Sequence, residues 1–219
     1  MAKKRFSCLD DLLDEQQRLV VTDLDTPAKI QAFLDQTPYS PEDRNRCPLS
    51  VLRDRQAHCL DGGLFAAAML RRLGYPPLII DLLPEPGTDD DHVLAIYRKD
   101  GHWGAVAKSN FSGLRYREPI FRTLRELVLS YFEDFFNVNG QKTLRAYTAP
   151  LNLSVYDHLN WMGSDKHLTI IEERLYHLRR FPVLTPAMIA NLSPVDKLSY
   201  EAGMLGSNPD GLYKPGQGH

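Results

Sequence analysis

The stretch "HCLDGGLFAAAMLRRLGYPP", residues 58–77, constrains this chain more than any other part of it. From Cys59 to Leu70 the only charged residue is Asp61, and Gly62, Gly63, Ala66, Ala67 and Ala68 are all small. A helix that is apolar on every side is a buried one. Small residues also let its backbone come close to a neighbouring layer, so the helix is expected to lie tightly against a sheet. Gly74 stands where a helix C-terminus wants glycine, with Pro76 and Pro77 behind it. The spacing therefore predicts a helix over residues 58–73 whose first turn, with Cys59 in it, reaches strand residues.

The surrounding segments supply that sheet. Residues 77–83, "PLIIDLL", form a short branched apolar run, read as a buried strand. Residues 92–109 are two such runs around Asp100-Gly101, a strong hairpin signal. A two-residue turn there pairs Lys99 with His102 and sets Ser109 opposite His92. A three-residue turn would pair Lys99 with Trp103 and set Asn110 opposite His92. The turn chemistry favours the first register, and one bulge would restore the second. Helices are predicted over residues 7–21, over 26–36 (Thr26 as cap, Pro27 first), over 121–137 and over 164–181. Residues 37–48 read as a loop, 142–153 as holding a strand and 206–219 as a loose tail. The order predicts an α+β fold, with residues 1–153 as a core carrying N-terminal helices and 154–219 as a helical and extended appendage.

Composition narrows the function classes. Lys plus Arg number 26 and Asp plus Glu 28, so no global field draws the chain to nucleic acid or anionic lipid. Three cysteines, at 8, 47 and 59, show no framework spacing, which points to a reducing compartment. With no apolar run of membrane-spanning length and no signal-peptide core, the expectation is a soluble, cytoplasmic protein. "DDDH", residues 89–92, alternates faces along an extended chain and is not read as a metal site. Arg115 and Arg117 would share a face of a strand, most simply a solvated edge.

A thiol nucleophile needs a pKa brought down from ~8.5, a base in reach and a group to orient that base. Cys59 has the helix N-terminus, and Arg53, Arg55 and His58 precede it as prospective cationic neighbours. A Cys opening a helix, Gly74-x-Pro76 after it, His92 opening a strand, then Trp103 and a polar residue on the next strand resemble the transglutaminase-like superfamily. The resemblance spans about residues 48–117. It implies a papain-like α+β core, with the Cys-bearing helix packed on an antiparallel sheet. It further implies acyl transfer on a peptide, protein or small amide through a thioester, with no cofactor. Carried onto this sequence, Cys59 is the nucleophile and His92 the base. The family's usual Asp after the Trp is Ala107 here, so Asn110 becomes the orienting residue, with Ser109 as fallback. The Cys59 backbone N–H, helped by Gln56, would form the oxyanion hole, and Trp103 would border the cleft. The competing class is a binding or scaffold domain that keeps this fold with Cys59 buried as a packing residue. Exposure of the thiol to a cleft separates the two.

Overall fold

The structure is a computed structural model describing residues 9–214. Cys8 and the basic cluster at residues 3–5 lie outside the described residues. A 3-10 turn (Leu9–Leu12) precedes α1 (Glu15–Asp23) and α2 (Pro27–Asp35). The single helix expected over 7–21 is thus interrupted at Asp14. Its side chain accepts from the Gln17 backbone N–H while the Gln17 side chain accepts from the Asp14 N–H, a reciprocal cap that starts α1 afresh. Helix α2 begins as its sequence predicts, with the Thr26 hydroxyl accepting from Lys29 N and Pro27 at the first position. Helix α3 (Pro48–Asp54), absent from the sequence reading, starts on Pro48 with the Cys47 sulfur accepting from Ser50 N. Helix α4 (Cys59–Arg72) then runs to Gly74, whose φ of 91° is the left-handed turn that ends it.

The strands are β1 (Leu78–Pro84), β2 (His92–Lys99), β3 (His102–Val106) and β4 (Arg117–Phe121). After α5 (Leu124–Leu129) come β5 (Leu144–Thr148) and β6 (Leu151–Asn152), then α6 (Leu168–Tyr176), β7 (Arg180–Pro182), α7 (Pro186–Ala190) and α8 (Lys197–Met204). The sheet order is β4-β3-β2-β1-β5-β7, with β6 also on β1, and every strand pair is antiparallel. The fold is therefore α+β around one antiparallel sheet. The β2–β3 hairpin takes the two-residue register, Lys99 opposite His102. Asp100 and Gly101 both have positive φ, as the mirror-image turn requires.

Alternation along the strands makes two cores. Ile79, Val93, Ala95, Tyr97 and Val106 face α4, whereas Ile80, Leu82, Leu94, Ile96 and Ala105 face α5 with Tyr131 and Phe135. Helix α4 can lie so close because of its glycines. A Cβ at Gly62 would sit 2.1 Å from the Lys108 Cβ, and one at Gly63 2.7 Å from Val93 Cγ1.

Two helices expected as long units are cut short by tertiary partners. Helix α5 stops at Leu129 because the Ser130 carbonyl and hydroxyl both accept from Arg117 of β4. Helix α6 stops at Tyr176, and Arg180–Pro182 pairs with Ala146–Thr148 as β7. Arg117 lies over the Tyr131 ring and Arg115 pairs with Asp35, so the two guanidinium groups do not share a solvated face. Residues beyond 154 complete the α4 core with Trp161, Met162, Ile171 and Leu175 and extend the same sheet through β7. Among the described residues no helix is long and apolar enough to cross a membrane.

Candidate active site

Cys59 is the first residue of α4 and is 8% exposed, its sulfur 3.9 Å from the Asp91 carbonyl at the entry to β2. It opens onto a cavity of about 280 Å³ shared with Tyr39, Asp81, Asp91, Glu172 and Tyr176. A smaller cavity of about 40 Å³ is lined by Cys59, His92, Ser109 and Asn110 together. Four of the six residues expected in the site thus meet around one space. The other two do not. Gln56 is exposed and lines neither cavity; α3 ends at Arg55 in a left-handed conformation, and it is the next residue but one, Ala57, that turns into the core. Trp103 pairs with Arg98 near the turn, at the far end of the hairpin from His92, and borders no part of this cleft.

His92 projects to the α5 face of the sheet with its strand neighbour Leu94, and its Nε2 lies 2.7 Å from the Leu114 carbonyl oxygen. A carbonyl only accepts, so Nε2 carries the proton and Nδ1 keeps the lone pair. Burial pushes the imidazole down to about 4; the Leu114 contact opposes this and Arg117 adds to it. The ring is neutral and oriented, with its lone pair on Nδ1. Its orienting partner is a backbone carbonyl rather than Asn110. The Asn110 amide donates to the Asn208 and Gly211 carbonyls and accepts from Asn208 N, so it is committed to the C-terminal segment. The Ser109 hydroxyl accepts from Phe111 N and shapes the turn. A backbone carbonyl leaves no mark in a sequence, so nothing there pointed to Leu114.

The electrostatics around the thiol also differ from expectation. Arg53 pairs with Asp54, and Arg55 lies over the Phe33 ring. His58 is neutral, pushed down to about 4 by burial, with Nε2 3.2 Å from Asp61. Asp61, fully buried, caps the start of α4 by accepting from the Arg46 and His58 backbone N–H groups, and burial raises its carboxyl to about 7. None of the three cationic neighbours expected from the sequence therefore faces Cys59 as a charge. Burial first, then the Asp90 and Asp91 carboxylates, push the thiol well above its ordinary range, opposed by the Val93 backbone N–H. Tyr39 lies across the same helix start. Burial holds its phenol neutral, with the Cys59 thiol and Asp90 adding to the effect and the Cys59 backbone N–H opposing it.

A measurable consequence is slow resting chemistry. Iodoacetamide is expected to alkylate Cys59 of the native protein at pH 7 at least tenfold more slowly than free cysteine. The Asp90→Asn/Asp91→Asn protein should react several-fold faster, with peptide mapping assigning the modified site. An unchanged rate in the double variant would show that burial alone governs the thiol.

Among the described residues no group of His, Cys, Asp and Glu is arranged to hold a metal ion. Comparison with protein-family models finds no match to this chain, and no curated protein is significantly similar to it.

Proposed function

We propose that this protein performs cysteine-dependent acyl transfer on an amide or ester, on the plan of the transglutaminase-like, papain-related enzymes. The observation that carries the reading is that Cys59, at a helix N-terminus, and His92, with its lone pair at Nδ1, line one small cavity. The steps follow from these groups. The thiol proton passes to His92 Nδ1 as the sulfur bonds to the substrate carbonyl carbon, and the carbonyl π electrons move to oxygen. The Tyr39 hydroxyl, which the Cys59 backbone N–H contacts, is the donor beside that oxygen, in place of the help expected from Gln56. Collapse of the tetrahedral adduct expels the amine or alcohol, which takes the proton from His92, and leaves a thioester on Cys59. Water or a second amine then attacks the thioester, and the thiol is regenerated. Because the resting thiol is protonated, proton transfer and carbon–sulfur bond formation must be coupled, and a thiolate does not accumulate beforehand.

The raised thiol pKa favours one other reading, a domain that keeps the fold and binds without chemistry. A pre-steady-state experiment with 4-nitrophenyl acetate separates the two. Acyl transfer predicts a nitrophenolate burst close to one equivalent, an acetyl group on Cys59 by mass mapping, and loss of both in Cys59→Ser. Acetylation of Cys59 no greater than that of Cys47 would favour the binding domain.

A further inference from the structure

The 280 Å³ cavity beside Cys59 is far more acidic than the chain as a whole. Seven of its lining residues are Asp or Glu and none is Lys or Arg, although the formal net charge of the protein is only −2. Acidity alone would describe a solvated rim. The informative residue is Asp81, in the middle of β1, 1% exposed and flanked by Ile80 and Leu82. Its side chain points to the α4 face opposite Val93, and its Oδ1 is buried with no hydrogen-bond donor. The His92 backbone N–H supports the carboxyl, and the Asp91 carboxyl interacts with it. Two carboxyls can join only through a proton of their own, which a better-placed cation displaces. When that proton is lost, the Asp81 Oδ1 is a buried acceptor at the bottom of a pocket, open to a donor from outside the protein.

The shape of that partner follows from the walls. Tyr39, Tyr176 and Tyr213 present aromatic surface, and a paired carboxylate floor matches the two-pronged donor edge of a planar cation. The aromatic walls favour an organic cation over a hydrated inorganic one. We propose that the Asp81–Asp91 pair is a specificity subsite that receives a guanidinium or primary ammonium group of the acyl-donor substrate, whose carbonyl lies at Cys59. The position of the carbonyl rests on the acyl-transfer reading, whereas cation binding does not. Occupation would also offset the carboxylates that add to burial in holding the Cys59 thiol protonated, so a basic substrate would help to activate its own nucleophile.

The test uses the full chain with Cys59→Ala, which binds without turnover. Calorimetric titration with Nα-acetyl-arginine amide should give affinity at least tenfold above that for Nα-acetyl-citrulline amide, a neutral analogue of similar shape. Asp81→Asn added to this protein should erase the difference. Asp91→Asn serves as the second variant if circular dichroism shows that Asp81→Asn is misfolded. In parallel, wild-type protein is assayed on the ethyl thioesters of the same two acyl groups. Arginine-selective binding that depends on Asp81 supports the subsite even if neither thioester is cleaved, a result that would instead remove the acyl-transfer reading. Cleavage of both thioesters at equal rates, with equal or no binding of the two amides, overturns the subsite and leaves acyl transfer standing. Selectivity that survives in both variants also overturns it, by moving the cation elsewhere in the pocket.

Discussion

A Gly62→Ala protein is expected to lose about 3 kcal/mol of stability or more, seen as a fall in the urea midpoint, although alanine is the better helix former by about 1 kcal/mol. The added Cβ would stand 2.1 Å from the Lys108 Cβ and 3.3 Å from its Cα. Swinging a side chain aside cannot relieve an approach to a Cα and a Cβ, so the segment just after β3 must move away from α4. Lys108 is poorly placed to move. Its buried ammonium donates to the Leu34 carbonyl at 2.9 Å and also to the Thr37 carbonyl, tying the segment after β3 to the end of α2. Gly63→Ala meets a Val93 methyl at 2.7 Å, a group that can turn, and should cost less. A Gly62→Ala protein as stable as wild type would show that the helix is free to lift from the sheet. The close seating that brings Cys59 to β2 would then not be needed.

His92→Gln is expected to reduce acetylation of Cys59 by 10²–10⁴-fold, roughly the range for loss of a positioned base, measured as the single-turnover rate with 4-nitrophenyl acetate. Asn110→Ala should leave that rate within a few-fold, because the Leu114 carbonyl and not the Asn110 amide holds the ring. The opposite ranking would return Asn110 to the orienting role its sequence position suggests. The same histidine has a stability signature. Its folded-state pKa is pushed below the unfolded value, to about 4. Above about pH 6.5 neither state binds the proton. As pH falls from about 6.5 to 4 the unfolded chain takes up a proton that the folded protein refuses, and stability drops by about 3 kcal/mol. His92→Gln should remove that part of the acid-side loss in urea titrations across about pH 4–7.

What the sequence revealed depended on how local each cause was. The Asp100-Gly101 turn fixes a register within a few residues, and that register is the one observed. Thr26-Pro27 starts α2 and Gly74 ends α4 for reasons contained in one turn of chain. Cys59 at a helix start and His92 at a strand start were legible because short-range signals mark both; their pairing was expected only from the resemblance. The remainder was set at a distance. Arg117 ends α5 through Ser130, and the partner on β5 turns Arg180–Pro182 into a strand. The orienting carbonyl of Leu114 has no side-chain signature. The acidic character of the pocket arises because Glu42, Asp81, Asp91, Glu172 and Asp210, scattered along the chain, fold to one place. The arginines adjacent to Cys59 in sequence turn away, so the nearest charges along the chain gave the wrong sign for the field at the sulfur.

The contact that engages Asn110 has a consequence for the order in which the cleft comes into being. Asn208 bonds the Tyr39 carbonyl and, with Gly211, the Asn110 amide, so the wall facing Cys59 is built from segments up to 169 positions apart. At translation rates of roughly 5–20 residues per second, Tyr39 leaves the ribosome about 10–30 s before Asn208. Through that interval the nascent chain carries its thiol without residues 208–213 to complete the cavity around it. The pocket is in this sense a product of late synthesis, and a ribosome stalled before residue 208 would display Cys59 beside an unfinished wall.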